Sequence, residues 1–279
     1  MPIDYSSANR VFELAFEKLN TAPVSFSNPG TLSNHIAGIL QPTARSSGVI
    51  PNDKKHLFAS ASIEMWHRSV HSFLWSVALT DSSPIWASIT GYYASHFVMR
   101  AFAHAFGFFN SFTRKKALQI VISHGCFVCS VLPERDKGEH SFYWRVVKYH
   151  PEFQSNPLFS KTIYEGNRTS DCFQRNFVNY TDHMDNFVSY ACPKGEQIAT
   201  AIDKIAHYHR FLVTTPCDGS SPHLPSIQIL AYQRIVTFRE YLDSHVFSNR
   251  FWKTHRSPTW CRDLITFQLD DPRPEQLHN

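Results

Sequence analysis

The sequence predicts a mainly helical protein with one inserted β-hairpin, on three observations. Apolar residues recur at helical spacing through several long windows. The chain holds 23 Phe, 11 Tyr and 6 Trp against only 10 Gly, a balance that suits helices packed through large side chains better than a Gly-punctuated barrel. One stretch after Arg114 changes character and becomes rich in β-branched residues.

Taken in order, Val11, Phe12, Leu14, Ala15, Phe16 and Leu19 predict a helix over residues 6–19. The Pro-, Ser-, Gly- and Asn-rich segment from Thr21 to about Asn52 reads as a long loop or arm. Leu57, Ile63, Trp66, Val70, Phe73, Leu74 and Val77 form the buried stripe of a second helix from Lys54 to about Ala78. Asp81, Ser82 and Ser83 supply cap residues before Pro84, a residue suited to the first helical position, so a third helix starts there and ends near Gly107. ALQIVISHGCFVCSVL and SFYWRVVKYH read as two strands, with PERDKGEHS as the turn between them. Ser170 and Asp171 cap a predicted helix over CFQRNFVNYTDHMDNFVSYA, a further helix fits Gly195 to about Leu212, and Ser226 to Phe247 is amphipathic. The resulting organisation is an N-terminal helix and arm over 1–53, a helical core over 54–212 with its hairpin near 117–150, and a C-terminal helix and wrapping tail over 213–279.

A length of 279 residues permits one large domain or two modest ones. The formal charge of +4 allows a phosphate or RNA partner but does not require one, because the basic residues form only short runs such as Arg114-Lys115-Lys116. No uncharged stretch is long enough to span a bilayer, and the first residues lack the pattern of a secretory signal, so a cytoplasmic protein is expected. In that compartment the six Cys are expected as free thiols.

Four constellations could carry chemistry. His96, Arg100 and His104 recur every four residues in GYYASHFVMRAFAHAFGFF, each step advancing roughly 40° around a helix, so they share a narrow face. They could grip a phosphate or nucleotide, or form the single polar seam of a core helix. Glu64, His67 and His71 have ligand-like spacing, but no second Glu-x-x-His completes a bundle metal site, so no metal or other cofactor is expected. Cys126 and Cys129 form a Cys-x-x-Cys with His124 nearby, yet strand alternation would put the two thiols on opposite faces. Finally, Arg135 with His140 and Arg175-Asn176 with His183 pair a charge stabiliser with a proton-transfer group, the equipment for cleaving RNA without a metal.

ITGYYASHFVMRAFAHAFGFF together with RNFVNYTDH resembles the HEPN superfamily, helical domains of prokaryotic toxins, abortive-infection proteins and CRISPR-associated ribonucleases. Tyr92-Tyr93-Ala94 matches the start of that family's core helix, and Ala105-Phe106-Gly107 its end. The resemblance covers residues 54–212 and implies a HEPN-like helical bundle, a defence or toxin role, and Arg175, Asn176 and His183 as catalytic residues of an RNA endonuclease. Seven residues separate Arg175 from His183, more than the family pattern allows; on one helix they would stand roughly 12 Å apart along the axis. The resemblance therefore also implies a site completed by a second chain, as a homodimer, or else a non-catalytic scaffold that holds a partner protein through aromatic-rich helices.

Overall fold

The computed structural model describes residues 3–21, 47–111, 116–132, 139–160 and 226–256. Helix α1 is Ala8–Thr21, strand β1 Ser47–Ile50, helix α2 His56–Leu79 and helix α3 Pro84–Ala105. Strands β2 (Phe108–Ser111), β3 (Lys116–Ser123) and β4 (Cys126–Val131) follow, then helices α4 (Glu139–Lys148), α5 (Pro157–Ser160), α6 (Ser226–Val246) and α7 (Arg250–His255). The fold is mainly helical with an inserted four-stranded sheet. No described helix is long and apolar enough to cross a membrane.

Helix α3 begins at Pro84, as its sequence predicts, and the Ala87 N–H reaches the Ser83 carbonyl at 2.9 Å. It stops where Gly107 adopts φ 81°, a conformation that costs an L side chain energy, and the Gly107 N–H closes on the His104 carbonyl at 3.1 Å.

The sheet corrects the hairpin reading. Its order is β1-β4-β3-β2 and every pairing is antiparallel, with Ser123 opposite Cys126. The hairpin therefore lies wholly within ALQIVISHGCFVCSVL. Its turn is His124-Gly125, at φ 48° and 74°, the two positive angles of the tight turn whose twist matches paired strands. SFYWRVVKYH forms most of α4 instead of the second strand. Phe142, Tyr143, Val146, Val147 and His150 are all buried, a spacing of three and four that a helix satisfies and an alternating strand does not. β1 also falls inside the segment read as an arm, paired with β4 through Ile50 opposite Phe127.

The chain divides into two compact units. Unit 1 comprises Met1–Trp66, Val98–Ser160 and Tyr241–Thr254, and its interior is aromatic. Trp66 meets Trp252 edge to face at 5.5 Å, Phe102 meets Phe153 at 4.8 Å, and Phe106 stacks on His150 at 3.9 Å. Its elements are tied by polar bonds: the Tyr5 hydroxyl donates to the Val146 carbonyl at 2.6 Å, and the buried Asn249 amide donates to the Phe16 carbonyl at 2.6 Å.

Unit 2 comprises His67–Phe97, Lys161–Glu240 and His255–Asn279. Its described part joins the second half of α2, the first half of α3 and most of α6. Here Ser69 donates to the Ala94 carbonyl and Ser76 to the Ala87 carbonyl, both at 2.6 Å. Ser62 makes the same bond to the Ala101 carbonyl at 2.7 Å within unit 1. The serines and their acceptors each recur every seven residues, in opposite chain directions, so small side chains meet at the contact and hydroxyls settle directly on the facing backbone.

Candidate functional site

Helix α3 carries the three residues singled out by their spacing, and the structure gives them different surroundings. His96, in unit 2, is buried; its ring lies parallel to Tyr92 at 6.3 Å and also contacts Tyr93 and Phe97. Arg100 and His104 belong to unit 1 and touch each other. The Arg100 Nε–H donates to His104 Nε2 at 3.1 Å, and the guanidinium lies 5.3 Å over the Tyr143 ring. Tyr143 is oriented in turn, because its hydroxyl oxygen accepts the Asn110 N–H at 3.0 Å.

That geometry settles which nitrogen of His104 carries the proton. A ring nitrogen that accepts from Arg100 cannot itself be protonated, so the neutral ring has its hydrogen on Nδ1. Nδ1 has no hydrogen-bond partner and the residue is only 2% exposed, against Phe109 and Tyr143. Burial holds the His104 pKa well below the ordinary imidazole value, and the neighbouring Arg100 charge adds to the effect. His104 is thus a proton-free acceptor that fixes an arginine, and it lacks the protonated form a general acid needs. Arg100 is half-buried, a permanent positive charge held by its Nε and by a ring face.

Arg135, Arg175, Asn176 and His183 lie outside the described residues. His140, read as part of a turn, stands in the first turn of α4. On α2, the Trp75 indole N–H donates to His71 Nε2 at 3.0 Å, and burial lowers the pKa of His71. Among the described residues no group of three His, Cys, Asp or Glu gathers as a metal site. Cys126 is exposed and Cys129 buried on β4, the opposite-face placement that alternation requires, and burial pushes the Cys129 thiol up to about 12.

Polar groups outside the predicted set complete the picture. Tyr143 and Asn110 position Arg100, but the first was read as a strand residue and the second carried no motif. In unit 2, the wholly buried Arg234 donates to Ser95 Oγ at 3.0 Å, and the Gln228 amide donates to the Ser76 carbonyl at 3.0 Å and to Thr80 Oγ1 at 2.8 Å. The seven-residue recurrence of Ser62, Ser69 and Ser76 was visible as a pattern of small polar residues within an apolar helix.

No protein-family model, curated protein or solved structure matches the chain.

Proposed function

We propose that this chain is a HEPN-like protein of a prokaryotic defence or toxin system that cleaves RNA without a metal. The observation that supports it is the central helix α3: Tyr92 and Ala94 are fully buried, the Ala94 carbonyl receives Ser69, and the helix closes at Gly107. In the resemblance, the Tyr-Tyr-Ala motif is read mainly as core packing, and two of its three residues here are buried. In this reading Arg175 stabilises charge developing on the phosphate, Asn176 orients it, and His183 moves the proton. Of the three residues on α3, Arg100 takes the phosphate role, since it alone is not fully buried and its charge is permanent.

The test is purified protein with single-stranded RNA in EDTA. Cleavage leaving cyclic phosphate ends is expected; His183→Ala should abolish it, and Arg100→Ala should lower kcat/KM about tenfold. RNA left intact at every protein concentration removes the proposal. A second reading, a non-catalytic subunit that holds a partner protein, draws support from Trp86, 49% exposed in the first turn of α3. A partner protein that co-purifies with the wild type and is lost on Trp86→Ala would favour it.

A further inference from the structure

Among its described residues unit 1 exposes two large aromatic rings, and each carries a lysine. Tyr149 follows the last residue of α4 and Phe247 the last residue of α6; both are 55% exposed, far above the buried rings of the same unit. The Lys148 ammonium lies 5.7 Å from the Tyr149 ring centroid and the Lys253 ammonium 5.1 Å from that of Phe247. Each ring lies within two residues, in sequence, of a member of one aromatic row. His150, beside Tyr149, stacks on Phe106 at 3.9 Å; Phe106 meets Tyr241 at 5.7 Å; Tyr241 meets His245 at 4.3 Å, two residues before Phe247.

We propose that Tyr149 with Lys148 and Phe247 with Lys253 are stacking posts for bases of a single-stranded RNA. This rests on the RNA reading above and adds to it where the strand is held. An exposed ring gains little from water, whereas a nucleobase covers its face, and the displaced ammonium can then turn to the adjoining phosphate. Charge complementarity favours a polyanion over an apolar protein partner. Arg145 and Lys148 precede Tyr149, and Arg250 and Lys253 follow Phe247. Each ring thus has two cations against one acid close in sequence, Glu152, which accepts the Asn9 amide at 3.4 Å, or Asp243, which accepts the Trp252 indole at 2.7 Å, both still charged.

The experiment is fluorescence anisotropy of the full chain with a labelled single-stranded RNA carrying 2′-O-methyl groups, which block cleavage, so binding is read independently of catalysis. Tyr149→Ala and Phe247→Ala are each expected to weaken binding about tenfold, a typical stacking contribution. Lys148→Ala and Lys253→Ala should each reduce the slope of log affinity against log salt by about 0.7. Circular dichroism confirms that the variants fold, and exposed positions should tolerate them. Wild-type protein that fails to bind the strand, or a Tyr149→Ala/Phe247→Ala double variant that binds as wild type, overturns the proposal. A double variant that loses a protein partner while keeping RNA affinity would assign the surface to protein docking and overturn it as well. Binding without cleavage of unmodified RNA would sink the catalytic reading and leave the posts standing.

Discussion

The two units bury α2 and α3 by different means. In unit 1 large rings fill the interior, from Trp66 against Trp252 to Phe106 against His150. In unit 2 the contact between the same helices rests chiefly on small residues, with hydroxyls of Ser69 and Ser76 reaching the facing carbonyls as Ser62 does once in unit 1. Ring packing draws its stability from buried apolar area, which can readjust when a ring moves slightly. Contact through small side chains draws on closeness itself, so an added carbon atom meets the facing helix directly.

Substitutions at two glycines sharpen that contrast. The larger effect is expected at Gly107 in unit 1, where a Cβ would lie 2.9 Å from Val11 Cγ1 and 3.0 Å from Ile120 Cβ, on a backbone already at φ 81°. Strain and overpacking add there, and Gly107→Ala should cost about 3 kcal/mol in urea unfolding. Gly91 in unit 2 has no unusual φ; a Cβ there would meet Ser76 Oγ at 2.9 Å and Ile227 Cγ2 at 3.4 Å. Gly91→Ala should cost about 2 kcal/mol. Since the clash is with the serine hydroxyl, adding Ser76→Ala should recover part of that loss, and the double variant should be less destabilised than the two singles added together. Strict additivity would mean that the close approach at Gly91 does not involve Ser76.

The smallest and most gradual effect is with pH and belongs to unit 1. Burial lowers the pKa of His150 to about 4 and that of His104 well below the ordinary value. Both rings are neutral in the fold, while the unfolded chain takes up their protons from about pH 6.5 downwards. Their contribution is therefore complete above pH 6.5 and is lost as pH falls, at up to roughly 1 kcal/mol per pH unit for each ring. For His150 the loss continues to about pH 4. Thermal unfolding between pH 7 and 4.5 should show a falling Tm, with a shallower fall in His150→Phe; a Tm independent of pH in this range would refute the assignment.

Much of this architecture can be read from local chemistry. Pro84 and Gly107 bound α3 because each acts through its own backbone, without help from distant residues. α1, α2 and α6 follow from apolar spacing to within two residues of the expected ends. α4 does not, because Phe142, Tyr143, Val146 and Val147 individually favour strands and only their burial on one helical face decides the outcome. His124-Gly125 was hidden because a histidine at positive φ is a rare first residue for a tight turn. At the candidate site the spacing put Arg100 and His104 on one face, but their opposite roles came from depth: one nitrogen sealed against Phe109 and Tyr143, one arginine only half-buried. The spacing of Arg175 and His183 says nothing about depth, and they lie outside the described residues.

The tight turn between β3 and β4 also has a practical use. A Cβ added at Gly125 would meet nothing within 4 Å, and the next residue, Cys126, presents its thiol outward, while Cys129 is sealed in the interior. Only a thiolate attacks a maleimide, and burial keeps Cys129 protonated, so of these two cysteines a dye or spin probe will attach at Cys126. The corner of the sheet is thus a natural attachment point for a spectroscopic reporter.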